Sequence, residues 1–220
     1  RMVQARSQDL AVPEELGGNA MSALLSKPRS RTQRTDMPMP GPCPVIETDR
    51  LALRPHKIGD ADPIAASLGD FAVARMLTRV PVPYDRQDAL DWLNTVTSGL
   101  KPDWFFAITM ADDVHIGTVS VELRHGLWHL GYWLNRFYWG KGLMSEATQA
   151  VLDHVFRRMP QAEIAAGAFA DNPASFKVLE KLGCTIVGVS DVYSLSRSAM
   201  APMIDMRITQ SGFQSRNRDR

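Results

Sequence analysis

The run Trp133-Leu134-Asn135-Arg136-Phe137-Tyr138-Trp139-Gly140-Lys141-Gly142-Leu143-Met144-Ser145-Glu146-Ala147 has the residue types of an anion cradle. An apolar strand ends here, two glycines follow one residue apart, and an amphipathic helix starts at once. Glycine turns the backbone sharply and, lacking a Cβ, lets a ligand come close to its amide. The amides of Gly140, Lys141, Gly142, Leu143 and Met144 converge at a helix N-terminus. First-turn N–H groups have no intrahelical partner there, and the helix dipole favours negative charge. Lys141 adds a formal positive charge. The chemistry implied is retention of a phosphate or diphosphate. Two nucleotide motifs are excluded. The third glycine and downstream carboxylate of a dinucleotide fingerprint are missing, and Gly142 follows Lys141 where a Walker loop has Ser or Thr.

A second constellation follows about thirty residues on, Asp171-Asn172-Pro173-Ala174-Ser175-Phe176-Lys177-Val178-Leu179-Glu180-Lys181-Leu182-Gly183-Cys184. It reads as a short helix marked at both ends. Asn172 is a favoured N-cap, Pro173 suits the first helical position, and Gly183 suits a left-handed C-terminal cap. Val178, Leu179 and Leu182 supply its buried stripe. Ser175 falls in the first turn, where its hydroxyl can bond locally or face a ligand.

Together these segments resemble the GNAT N-acetyltransferase superfamily, and within it the RimJ/RimL-type branch that acetylates protein N-termini. The first is similar to the branch's acetyl-CoA diphosphate loop and the second to its other cofactor-contacting helix. The opening Glu47-Thr48-Asp49-Arg50-Leu51-Ala52-Leu53-Arg54 and the residues to Ile64 look like its first strand and helix. The resemblance spans roughly Val45 to Gly212. It implies acetyl-CoA as co-substrate, with Trp133, Leu134, Arg136, Trp139, Gly140, Lys141, Gly142, Leu143, Met144, Asn172 and Ser175 as the residues expected around it. Three positions depart from the family pattern: Phe137 where Gln or Arg is frequent, Leu179 where many relatives carry an acidic Tyr, and Cys184 where Phe is usual.

Acetyl transfer to an amine needs a neutral amine, a polarised thioester carbonyl and a leaving thiolate that is held or protonated. Backbone N–H groups of the Trp128–Leu134 strand are the natural donors to the carbonyl. Ser175 stands where the branch carries a candidate general acid, with local capping as the alternative. His129 and Glu122 compete as general base, since imidazole titrates near neutrality and a carboxylate can act through water. An acceptor of low pKa would need no dedicated base. Asn172 can cap its helix and touch the cofactor as well. The acceptor implied by the branch is a protein or peptide N-terminal amine. A small-molecule amine is the alternative, and an acyl-CoA-binding module without turnover is a reading of another class.

Composition bounds the rest. The chain has 220 residues and a formal net charge of +1, which gives no argument for nucleic-acid or membrane partners. No apolar run approaches the ~20 residues of a spanning helix, so a cytoplasmic protein is expected. The two cysteines, Cys43 and Cys184, and five dispersed histidines have neither metal spacing nor a disulfide framework, and no metal is expected. A homodimer is compatible with the sequence and not encoded in it.

The elements that must position these residues follow from periodicity. Residues 1–44 are rich in Pro, Ser, Arg and Met and read as a disordered leader, within which Met21 and Met37 are alternative starts. Residues 45–212 form the acetyltransferase domain and 213–220 a disordered tail. Within the domain, Leu51–Arg54 reads as a strand and Asp60–Leu68, Phe71–Leu77 and Gln87–Val96 as helices. Trp104–Met110 and Ile116–Leu123 pair as a hairpin through Asp112-Asp113. Trp128–Leu134 feeds the loop, Met144–Met159 is the following helix, and Glu163–Phe169 the next strand. Further strands are expected at Thr185–Val192 and Met203–Thr209. The expected fold is α/β (α+β): a mixed, mostly antiparallel sheet with one parallel pair at the acetyl-CoA crevice and helices on both faces. Ligands of such sheets collect at the carboxyl ends of strands, where the loop lies.

Overall fold

The computed structural model describes residues 38–110 and 112–218. Its strands are β1 (Ile46–Glu47), β2 (Ala52–Pro55), β3 (Trp104–Thr109), β4 (His115–Arg124), β5 (Leu127–Leu134), β6 (Ile164–Phe169), β7 (Thr185–Ser194) and β8 (Ala199–Ile208). Its α-helices are α1 (Ala61–Leu68), α2 (Phe71–Ala74), α3 (Arg86–Val96), α4 (Leu143–Arg158), α5 (Pro173–Leu182) and α6 (Gln210–Arg218). One sheet carries the strands in the order β1-β2-β3-β4-β5-β6-β8-β7. Every neighbouring pair is antiparallel except β5–β6, which is parallel, so the expected mixed sheet is present.

Local chemistry sets the element ends. Asp85 caps α3 and forms a reciprocal box with Asp88, and Asn172 caps α5 through the Ser175 amide at 3.1 Å. Gly183 ends α5 at φ +93°, a left-handed conformation that glycine adopts without a Cβ clash. Along β4 and β5 the alternate side chains face opposite sides of the sheet. Val119, Val121, Trp128, Leu130 and Leu134 join a core with α4, α5 and α6 on one side. Trp133 packs on the other side with Ile64, Leu68, Val73, Ala89 and Leu93 of α1, α2 and α3. β4 is buried on both faces along most of its length, yet its sequence alternates, with Val119, Val121 and Leu123 towards the core and Thr118, Ser120 and Glu122 on the opposite side.

Four segments differ from the periodicity. The Phe71–Leu77 helix stops at Ala74, because Thr78 and Leu77 turn to accept bonds from Leu195 N and Ser194 Oγ. The last two strands are longer than expected and meet at Leu195–Ser198, a tip that docks on α2. The tail expected to be disordered from residue 213 is instead part of α6 as far as Arg218, since Phe213 buries its ring 5.5 Å from Phe156. Finally, residues 38–44, expected within the leader, pack on the domain. The Gly41 carbonyl accepts the buried Trp104 indole N–H at 2.8 Å, and the Pro40 and Pro42 carbonyls accept from Arg158. Residues 1–37 of that expectation lie outside the described residues. No helix among the described residues is long and apolar enough to cross a membrane.

Candidate active site

β5 and β6 are in register at only two positions, Trp128 with Ile164 and His129 with Ala165. Beyond them β6 pairs only with β8, and β5 only with β4. The sheet therefore splits, and the backbone edge of β5 past His129 has no strand partner on that side among the described residues. Unpaired backbone groups in such a gap demand hydrogen-bond partners. The gap opens into a cleft of about 1080 Å³ that reaches both faces of the sheet.

At the carboxyl end of β5 the chain makes a 3-10 turn over Arg136–Tyr138, capped by Asn135 Oδ1, and enters the glycine loop. Gly140 and Gly142 have φ +75° and +76°, the left-handed region that makes both positions costly for any side chain. Gly142 is the N-cap of α4, so the amides of Leu143, Met144 and Ser145 open at its first turn. The side chains of Leu143 and Met144 are core residues, and only their backbone serves the loop. Lys141 Nζ lies 5.3 Å from the centre of the Tyr138 ring. Trp139 donates its indole N–H to the Leu134 carbonyl at 2.7 Å, which closes the loop onto the strand end. Arg136 is directed away from the loop, to Asp70 at 3.1 Å.

The catalytic candidates fall on the two sides of the sheet. On the side of α4 and α5, the Tyr132 hydroxyl lies 2.8 Å from Ser175 Oγ. Burial pushes the Tyr132 phenol well above its usual range, so it stays protonated. On the opposite side His129 faces Glu122 across the β4–β5 ladder. Glu122 accepts hydrogen bonds from Ser120 at 2.9 Å, Arg124 at 2.6 Å and Arg79 at 3.0 Å. Burial opposes its ionisation, but Arg124 and Arg79 outweigh burial and hold the carboxyl below the usual carboxylate range. A carboxylate so saturated is a poor proton acceptor and a good electrostatic neighbour. Burial, then Arg124 and Arg207, pushes the His129 imidazole below its ordinary value.

An ion-pair cluster lies in the turn just before Asn172. Arg197, beside the β7–β8 tip, pairs with Asp171 at 2.9 Å and donates to the Arg75 carbonyl at 2.7 Å, while Arg75 pairs with Asp171 at 2.6 Å. One carboxylate thus joins α2, the β7–β8 tip and the turn that precedes Asn172. Sequence reasoning missed Arg75, Arg79, Arg197 and the Tyr132 bond to Ser175. Their signals are charges without periodicity, which become interpretable only when a partner from another element arrives. Among the described residues no three His, Cys, Asp or Glu side chains stand together as metal ligands.

A glycine-bounded anion loop at a helix N-terminus, beside a split between two parallel strands, is the arrangement that the resemblance to acetyl-CoA-dependent transferases implies. The model of the acetyltransferase (GNAT) domain matches residues 50–185. The chain belongs to the GNAT family and is an acetyl-CoA-dependent N-acetyltransferase. It is 28% identical over 160 residues to the "Uncharacterized N-acetyltransferase p20" of Bacillus licheniformis, covering 70% of this chain and 90% of that one. Among solved structures it is similar to Mycobacterium smegmatis RimJ in complex with CoA-disulfide, with TM-score 0.67 and 21% identity over 80% of this chain and 91% of that one. It is also similar to the ribosomal-protein-S5-alanine acetyltransferase of Vibrio fischeri, with TM-score 0.65 and 23% identity over 77% and 98%. At these identities the two structures speak to the fold.

Proposed function

We propose that the chain moves the acetyl group of acetyl-CoA to the N-terminal amine of a protein or peptide, by direct attack in a ternary complex. The observation that carries the reading is the split between β5 and β6, which joins a thioester side lined by Tyr132 and Ser175 to an acceptor side lined by His129 and Glu122. Ligand pockets run to about 300–1,000 Å³, so the cleft has the room two substrates need. Likeness in fold to RimJ and to the S5-alanine acetyltransferase supports a protein acceptor over a small amine.

The diphosphate lies against the amides of the Gly140–Met144 loop, with Lys141 beside it and Asn172 at the neighbouring helix start. The amine lone pair attacks the thioester carbonyl, and a β5 amide past His129 takes the developing oxyanion. As the N–C bond forms, the ammonium proton passes to His129, which its lowered pKa keeps neutral at pH 7. The C–S bond then breaks with its electron pair on sulfur, where Ser175 donates a hydrogen bond to the thiolate.

Two measurements test this. Gly142→Glu forces a side chain onto a left-handed position and adds a carboxylate beside the loop, its Cβ 3.6 Å from Arg50 Nη2, and is expected to abolish acetyl-CoA binding by calorimetry while the chain still melts cooperatively. A panel of N-terminal peptides and small amines, assayed by acetyl-CoA-dependent thiol release, is expected to single out peptides. Turnover with small amines alone would replace the acceptor assignment, and thiol release with none of them would favour a binding module.

A further inference from the structure

Arg50 comes from the turn between β1 and β2, more than ninety residues from the glycine loop, yet it makes a four-point clasp with the loop and with α4. Its Nη1 donates to the Lys141 carbonyl at 2.9 Å. Its Nε donates to Glu146 Oε2 at 2.6 Å and its backbone amide to Glu146 Oε1 at 3.0 Å, with Nη2 also 2.6 Å from Oε2. Thr48 Oγ1 donates to Glu146 Oε1 at 2.6 Å. A Cβ added at Gly142 would lie 3.6 Å from Arg50 Nη2, so the guanidinium stands directly beside the loop.

This clasp has two consequences. In a planar trans peptide the C=O and the following N–H point in opposite directions. Holding the Lys141 carbonyl on the guanidinium therefore turns the Gly142 N–H away from Arg50. Gly140 and Gly142 on either side of Lys141 lack side chains, so the backbone there is intrinsically free to rotate and the Arg50 bond to the Lys141 carbonyl is a restraint on that peptide plane. The second consequence is electrostatic. Glu146 sits in the first turn of α4, where a carboxylate competes with an anionic ligand for the positive end of the helix. Burial opposes the ionisation of Glu146, but Thr48 and Arg50 outweigh it, so the charge is present. Arg50 is its counter-ion.

We propose that Arg50 is a positioning residue for acetyl-CoA, which aims the Gly142 amide at the diphosphate and neutralises Glu146 beneath it. This rests on the assignment of the Gly140–Met144 loop to the diphosphate. The donor S-acetylpantetheine carries the same thioester and no diphosphate, and it separates this role from a structural one. Arg50→Gln removes a charged donor, so KM for acetyl-CoA is expected to rise about ten- to a hundred-fold with kcat held. With S-acetylpantetheine the variant and the parent chain are expected to have the same kcat/KM. Glu146→Gln added to Arg50→Gln is expected to recover part of the lost acetyl-CoA affinity. Equal losses with both donors would reduce Arg50 to a structural clasp, and an unchanged KM for acetyl-CoA would remove the role altogether. If Gly142→Glu binds acetyl-CoA normally, the loop assignment itself fails. If Gly142→Glu is dead and Arg50→Gln behaves as the parent, only the role of Arg50 fails.

Discussion

The Tyr132 hydroxyl lies 2.8 Å from Ser175 Oγ and 3.1 Å from the Ser175 carbonyl oxygen. The carbonyl can only accept, so two arrangements exist. Tyr132 donates to the carbonyl and Ser175 donates to Tyr132, or Tyr132 donates to Ser175 Oγ and leaves the serine hydrogen for another acceptor. A thiolate arriving at Ser175 selects the second. Tyr132, with its ionisation suppressed by burial, is then a hydrogen-bond donor behind Ser175 and not a source of the proton.

Ser175→Ala is accordingly expected to lower kcat about tenfold or more with little change in acetyl-CoA affinity, as a hydrogen bond to a charged group formed only in the transition state would. Tyr132→Phe is expected to lower kcat less. The double variant is expected to be no slower than Ser175→Ala alone, because the two groups act in series. Additive losses in kcat would separate them.

The glycine loop, the capped α5 and the strand–helix–strand order were legible in sequence because each depends on neighbours within a few residues. Gly142 and Gly183 need left-handed φ whatever surrounds them, and Asn172 reaches an amide three positions on. The pairings that tune the site were not legible. Arg50 meets Glu146 across 96 residues, Arg79 meets Glu122 across 43, and Arg136 turns to Asp70 rather than towards the loop. A charge in sequence carries no address, and its partner is chosen when sheet and helices assemble. The helix α6 was missed for a related reason, since one Phe213 in a polar segment makes no period yet suffices when Phe156 waits beneath it.

For His129 the direction of the shift fixes a pH window. Burial and the charges of Arg124 and Arg207 lower its pKa, so the acid limb of kcat/KM is expected below the ordinary imidazole value of about 6.5. Removing a neighbouring positive charge by Arg124→Gln is expected to move that limb upward. His129→Gln is expected to abolish it, with one acceptor of low pKa used throughout so that its own ionisation stays constant. A limb that keeps its position in both variants would leave His129 an ordinary strand residue.

Residues 38–44 are expected to contribute stability. In a chain beginning at Val45 the Trp104 indole, fully buried, loses its Gly41 acceptor, and Arg158 loses two carbonyls. An unsatisfied buried donor costs about 1–3 kcal/mol. For a domain of this size that lowers Tm by about 2–12 °C relative to a chain beginning at Pro38. Calorimetric melting of the two chains decides it, and coincident melts would make the segment dispensable.

The last prediction concerns a group remote from the glycine loop. His115 is buried, with ring centres 5.4 Å from His56 and 5.6 Å from Trp133, and beyond its own main chain neither ring nitrogen has a hydrogen-bond partner among the described residues. Burial, with a smaller push from His56, lowers its pKa to about 4 from an unfolded 6.5. A depressed folded pKa means that the unfolded chain takes the proton first. Stability is therefore complete above pH 6.5 and drains as pH falls towards 4. The loss between pH 7 and pH 5 is roughly 2 kcal/mol from this one group. His56 is lowered in the same direction and drains the same window, whereas Asp60, held ionised by Arg54 and His56 against the effect of burial, acts only below the ordinary carboxylate range. His115→Leu removes a buried polar ring that has no partner beyond its own main chain, so it is expected to keep or raise stability at pH 7. It is also expected to flatten the fall between pH 7 and pH 5, leaving the share that His56 contributes. Urea midpoints of both chains at the two pH values measure this, and an undiminished fall in the variant would assign the acid sensitivity elsewhere.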